Sequence, residues 1–115
     1  VIENQPTIAL IQERVAHVFG MPLIEMRSAR RAYASSHPRQ IAMYLAKRLT
    51  TRSLPTIGKH FGGRDHTTVM HAVRAVEKRR AAEPSTDRIV RELLGELGPR
   101  IVEEGQGDLF AGAEG

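Results

Sequence analysis

Apolar residues recur along this chain at three- and four-residue steps, the spacing of one face of a helix. Ile8, Ile11, Val15, Val18 and Phe19 form the first stripe, which predicts a helix from about Pro6 to Phe19, with Thr7 near its start and Gly20 as its stop. Leu23, Ile24 and Met26 follow Pro22 as a short apolar patch. Residues 27–37 show no clean period and read as a basic loop opened by at most a short helical turn. Pro38 suits the first turn of a helix, with Ser36 as a cap, and Ile41, Ala42, Leu45 and Leu49 line one face of it.

The pattern then tightens. Ser53-Leu54-Pro55 restarts the chain, and Ile57 and Phe61 are core positions of a short helix ending near Phe61. Gly62-Gly63 supplies a turn, because glycine tolerates positive φ and close helix approach. A second helix starts near Asp65, with Val69, Ala72, Val73 and Val76 inward and Thr67, Thr68, His71, Arg74 and Lys78 on other faces. Glu83-Pro84-Ser85 ends it, and Ser85 or Thr86 is placed to cap a last helix carrying Ile89, Val90, Leu93, Leu94 and Leu97. Gly98-Pro99 stops that helix, and residues 101–115 resemble a flexible acidic tail. The expected organisation is one all-α domain over residues 1–100, with a helix-turn-helix at about 55–80.

Charge changes what this bundle is for. Residues 27–80 hold 13 Lys or Arg against Asp65 and Glu77, a net +11, while residues 1–26 carry −2 and residues 81–115 carry −5. Such a basic block needs solvent or an anionic partner, and the DNA backbone is a dense line of phosphates. With no cysteine, disulfides and thiolate metal sites are excluded. His66 and His71 lie five apart rather than four, so they do not share a helix face as a metal pair would. No phosphate-cradling glycine loop and no nucleophile–His–acid set is visible, so neither catalysis, a cofactor nor a metal is expected. The lack of a signal peptide or membrane span points to the cytoplasm, close to the nucleoid.

The chemistry concentrates at the start of the second helix of the hairpin. Arg64, Asp65, His66, Thr67 and Thr68 are hydrogen-bonding groups uninterrupted by any apolar residue. A recognition helix enters the major groove by its first turn, where each base pair shows a distinct donor and acceptor pattern. Arg64 can span a guanine edge or clamp a phosphate, Asp65 can accept from a cytosine or adenine amino group, and His66 and Thr67 can meet thymine. Backbone N–H groups at the starts of the Pro38 and Pro55 helices, with Gln40, Lys47, Thr68 and His71 beside them, suit phosphates. Arg30 and Arg31, with Arg27 before them, make a basic arm for a narrow minor groove. The plainer alternative leaves Asp65 as a helix cap and the threonines in water.

The run Ser53-Leu54-Pro55-Thr56-Ile57-Gly58-Lys59-His60-Phe61-Gly62-Gly63-Arg64-Asp65-His66-Thr67-Thr68-Val69-Met70-His71-Ala72 closely resembles the signature of the C-terminal DNA-binding domain of bacterial DnaA replication initiators. Pro38-Arg39-Gln40-Ile41-Ala42-Met43-Tyr44-Leu45 matches the preceding helix of that family, and the resemblance covers about residues 8–97. It implies a compact, Trp repressor-like helical bundle that binds DnaA boxes in duplex DNA as a monomer on each box. The family's major-groove readers fall on Asp65, His66 and Thr67, and its minor-groove arginine on Arg31. Its phosphate contacts fall on Gln40, Lys47, Leu54, Pro55, Arg64, Thr68 and His71. Tyr33 stands where the family usually has a second basic residue in the arm.

Full initiators carry an ATP-hydrolysing domain before this one, so ATP binding, origin melting and helicase loading are not assigned to these residues. A chain opening on Val1 fits a piece of an initiator. The tail fits a stand-alone regulator instead, because Gln106-Gly107-Asp108-Leu109-Phe110 resembles the pentapeptide by which bacterial proteins dock on the replication sliding clamp. Gln106, Leu109 and Phe110 would be the anchors. A promoter-binding transcriptional regulator and a module that offers its basic face to an acidic protein are the alternatives from other classes.

Overall fold

The computed structural model describes residues 2–3, 5–29, 33–98 and 100–101, with side chains for residues 5–29 and 37–98. Six helices follow one another: α1 (Ile8–Phe19), α2 (Leu23–Arg27), α3 (Tyr33–Leu49), α4 (Leu54–His60), α5 (His66–Ala82) and α6 (Pro84–Leu97). A two-residue antiparallel ladder joins the ends, β1 (Ile2–Glu3) to β2 (Arg100–Ile101), with Ile2 opposite Ile101. This minor pairing leaves the expected all-α bundle intact.

The α1 helix starts where its sequence says. Thr7 caps it, its hydroxyl accepting from the Leu10 N–H at 3.0 Å, and Gly20 ends it at φ 64°. Its buried face is Ile8, Ile11, Gln12, Val15 and Ala16. Val18, expected in that stripe, is instead exposed, while Gln12 takes the inward position four residues after Ile8.

The α3 helix is the centre of the bundle and packs against each of the other five. Residues 41–46 are all buried, so this stretch is apolar on every side, as a helix enclosed by neighbours must be. Two expectations fail here. The helix begins at Tyr33, so Ser36 does not cap it and Pro38 lies inside it. Residues 33–37 are therefore helical rather than loop, and the Leu23–Met26 patch is a helix. A proline biases the preceding residue away from helical angles and lacks one intrahelical N–H, which is why residue 38 reads as a start. Packing outweighs that bias. Arg39, next to the proline, is buried and its guanidinium donates to the Glu25 carbonyl at 2.9 Å, tying α3 to α2. Burial lowers the Arg39 pKa, against the opposing pull of Glu25.

The junction of α5 and α6 also departs from expectation. Glu83, not Ser85 or Thr86, holds the N-cap position, and Pro84 opens α6 at a position that needs no N–H. The Thr86 hydroxyl is engaged with Glu83 Oε1 at 2.7 Å. Asp87 binds Arg80 at 2.7 Å and Arg91 at 3.1 Å, and Glu96 binds Arg14 at 2.7 Å. Asp87 thus ties α6 to α5 through Arg80, and Glu96 ties it to α1 through Arg14.

Candidate nucleic-acid interface

The α4–α5 hairpin is built by three glycines and two caps. Ser53 caps α4, accepting from the Thr56 N–H at 3.3 Å, and Pro55 sits in its first turn. Ile57 and Phe61 are fully buried, each worth about 2–3 kcal/mol in transfer from water. Gly62 and Gly63 then take φ 85° and 76°, the left-handed angles anticipated for them. Gly62 also meets the expected close approach, since a Cβ there would stand 2.6 Å from the Ser28 carbonyl oxygen, and Gly58 adds a second one. A Cβ on Gly58 would stand 1.9 Å from the Arg64 carbonyl oxygen, and the Arg64 N–H returns to the Gly58 carbonyl at 3.0 Å.

Asp65 is the N-cap of α5, with Oδ1 accepting from the Thr68 N–H at 2.9 Å. That bond, followed by the Thr68 hydroxyl, holds the carboxyl below its ordinary pKa; slight desolvation opposes it and His66 assists. Capping is thus part of the role of Asp65, and its second oxygen remains an acceptor.

Asp65, His66, Thr67 and Thr68 are all exposed, as are His71, Arg74 and Lys78 along the same helix. At about 100° per residue, Thr67, His71, Arg74 and Lys78 fall within a narrow arc opposite Val69, Ala72 and Val76. The first turn of α5 therefore presents polar groups continuous with a basic stripe.

The other expected contacts are placed less uniformly. Lys47 is exposed in the last turn of α3, and Pro55 is exposed and Leu54 half-buried at the start of α4. The helix start expected at Pro38 does not exist, so no terminal N–H groups are offered there. Gln40 is half-buried within α3, its Oε1 accepting from Arg79 at 3.0 Å. Arg64 is half-buried as well, donating to the carbonyls of Ser28, at 3.0 Å, and Phe61. It braces the turn against the segment after α2. Arg27 is exposed, but its Nε donates to Gln12 Oε1 at 2.8 Å. Arg30, Arg31, Gln106, Leu109 and Phe110 lie outside the described residues.

Two residues that the sequence reading passed over organise this region. Gln12, 1% exposed, donates through Nε2 to the His60 carbonyl at 2.8 Å while accepting from Arg27, so one buried amide joins α1, α2 and the end of α4. Its position in the α1 stripe was the available signal. Gly58, next to the buried Ile57, had no signal beyond being a glycine inside a short helix.

A short capped helix, a left-handed glycine turn and a longer helix with an exposed polar first turn define a DNA-binding helix-turn-helix domain. Residues 8–76 match the family described as the bacterial DnaA protein helix-turn-helix, and the chain belongs to that family. The chromosomal replication initiator DnaA of Anaplasma marginale is 62% identical over 72 residues, covering 63% of this chain and 15% of that protein. The initiators of Zymomonas mobilis and Caulobacter sp. strain K31 are 49% and 50% identical, over 80% and 81% of this chain and 19% and 20% of theirs. The chain thus spans about a fifth or less of the length of these relatives. A crystal structure of a DNA replication initiation factor superposes with a TM-score of 0.69 at 32% identity, covering 78% of this chain and 27% of the other.

Proposed function

We propose that this domain reads DnaA boxes in double-stranded DNA, in the initiation of chromosomal replication or its regulation. The observation that carries the reading is the exposed first turn of α5, fixed by the Asp65 cap and by the Gly58–Arg64 contact beneath it. With that turn in the major groove, Asp65 accepts from a base amino group through carboxylate lone pairs beyond the one the Thr68 N–H uses. His66 and Thr67 meet neighbouring base edges, and Arg31 enters the adjacent minor groove.

Contacts to phosphate then set register without reading sequence. Lys47 and His71 approach from α3 and α5, Thr68 turns its single hydroxyl proton from Asp65 to a phosphate oxygen, and Leu54 and Pro55 bring the first turn of α4 against the backbone. Gln40 adds an amide donor. Arg64 has part of its guanidinium committed to the turn, so its contribution is divided between bracing and phosphate contact. One domain serves one box, since the reading helix and its flanking contacts all come from a single chain. The acidic tail with Gln106, Leu109 and Phe110 is the element that would engage the sliding clamp.

Competition between a box-containing duplex and a scrambled duplex of equal length tests this reading. The box should compete far better at physiological salt. Equal affinity for the two would overturn sequence-specific recognition.

A further inference from the structure

Arg79 lies in the last turn of α5, 39 residues from Gln40 on α3, and the two meet at 3.0 Å through Arg79 Nη1 and Gln40 Oε1. We propose that Arg79 is a positioning residue for DNA binding, which presets the Gln40 amide as a donor to phosphate. The inference rests on the reading of Gln40 as a phosphate contact.

The chemistry is asymmetric. A glutamine amide can be turned either way, with oxygen or nitrogen toward a given neighbour. A guanidinium has only donors, so beside Arg79 the amide must turn its oxygen inward. The NH2 group is then the remaining polar end of Gln40, and it is the end a phosphate oxygen can accept from. The opposite orientation would set a carbonyl oxygen against the phosphate and repel it. The neighbouring cation also polarises the amide, strengthening its N–H groups as donors.

Arg79 is not arranged to do this work directly. Its Nη2 is buried and has no hydrogen-bond partner among the described residues. Retaining a guanidinium with one arm unsatisfied is costly. A cation in the last turn does favour the helix dipole, but an exposed lysine would serve that purpose as well.

The test is a double-mutant cycle on duplex affinity across a salt series, using Gln40→Ala, Arg79→Leu, Arg79→Lys and the Gln40→Ala/Arg79→Leu pair. Gln40→Ala and Arg79→Leu should each weaken box and scrambled duplex alike, by about tenfold for one lost bond to a charged acceptor. The pair should bind no more than about twofold worse than Gln40→Ala alone, because Arg79 acts through Gln40. Arg79→Leu should leave the salt slope unchanged, whereas loss of a phosphate-neutralising arginine lowers it by about 1. Arg79→Lys, also a donor only, should regain most of the affinity, which keeps the test decisive if Arg79→Leu melts early.

An Arg79→Leu loss that persists in full on the Gln40→Ala background, or a reduced slope, overturns the proposal while leaving Gln40 a phosphate contact. Unchanged affinity in Gln40→Ala removes the contact and the proposal together. Equal binding of box and scrambled duplex by the intact chain defeats only sequence-specific reading, since the coupling can still be measured on either duplex.

Discussion

The Arg64 guanidinium donates to the carbonyl of Ser28, 36 residues earlier in the chain, at 3.0 Å. Through this bond the turn that leads into α5 is fastened to the segment that follows α2. Arg64→Ala should therefore lower stability by about 1–2 kcal/mol in denaturant unfolding, beyond any effect on DNA affinity. Unchanged stability with weakened binding would make Arg64 a phosphate contact alone.

Gly58 and Gly95 make a matched pair of helical glycines. Gly58→Ala puts a methyl group 1.9 Å from a backbone oxygen, whereas nothing lies within 4 Å of a Cβ on Gly95. Gly58→Ala should cost about 3 kcal/mol or more, and Gly95→Ala should be neutral or stabilise by up to about 1 kcal/mol. Melting temperatures that moved together would show that the α4–α5 approach is looser than the geometry requires.

If the proposed roles hold, substitutions at His66 and Lys47 separate reading from gripping. His66→Ala should narrow the difference between box and scrambled duplex by about 1–3 kcal/mol. Lys47→Ala should weaken all sequences similarly and lower the salt slope by about 1. If His66→Ala reduced both affinities in step, it would join the phosphate contacts.

Asp65 gives the domain an acid-sensitive cap. Its folded-state pKa is lowered, chiefly by the Thr68 N–H, so its stabilisation is complete above the unfolded carboxyl pKa, about 4, and is lost as pH falls through the folded value. Asp65→Asn keeps an oxygen acceptor at the cap but removes the titration. Its melting temperature should fall less steeply than the parent's as the pH drops below about 4. Parallel acid slopes would show that other carboxyl groups govern this range.

The tail makes a separable claim. Leu109→Ala with Phe110→Ala should abolish binding to a bacterial sliding clamp in a pull-down and leave box affinity unchanged. An intact chain that fails to bind the clamp would retire the motif.

Most of the hairpin was legible because local chemistry and tertiary packing agree there. Ser53, Pro55, Gly62, Gly63 and Asp65 each take the conformation their side chains favour, so the boundaries of α4 and α5 follow from residue type. The start of α3 was not legible, because the local preference around Pro38 opposes helix and burial of residues 41–46 overrides it. Val18 and Gln12 exchanged places for a related reason. A helix stripe read by hydrophobicity alone leaves out an amide that can satisfy both its ends inside the fold. The exposed first turn of α5 was visible as a run of polar residues, but its supports were not. Ser28–Arg64 and Gln40–Arg79 join residues far apart in sequence, and no spacing rule announces such a pair.

The ladder that sets Ile2 opposite Ile101 brings the two ends of the bundle to neighbouring strands, about 5 Å apart. A fluorophore or flexible leash fused ahead of Ile2 and one fused after Ile101 would thus leave the bundle from the same spot. Energy transfer to a dye on bound DNA should report nearly the same distance from either attachment.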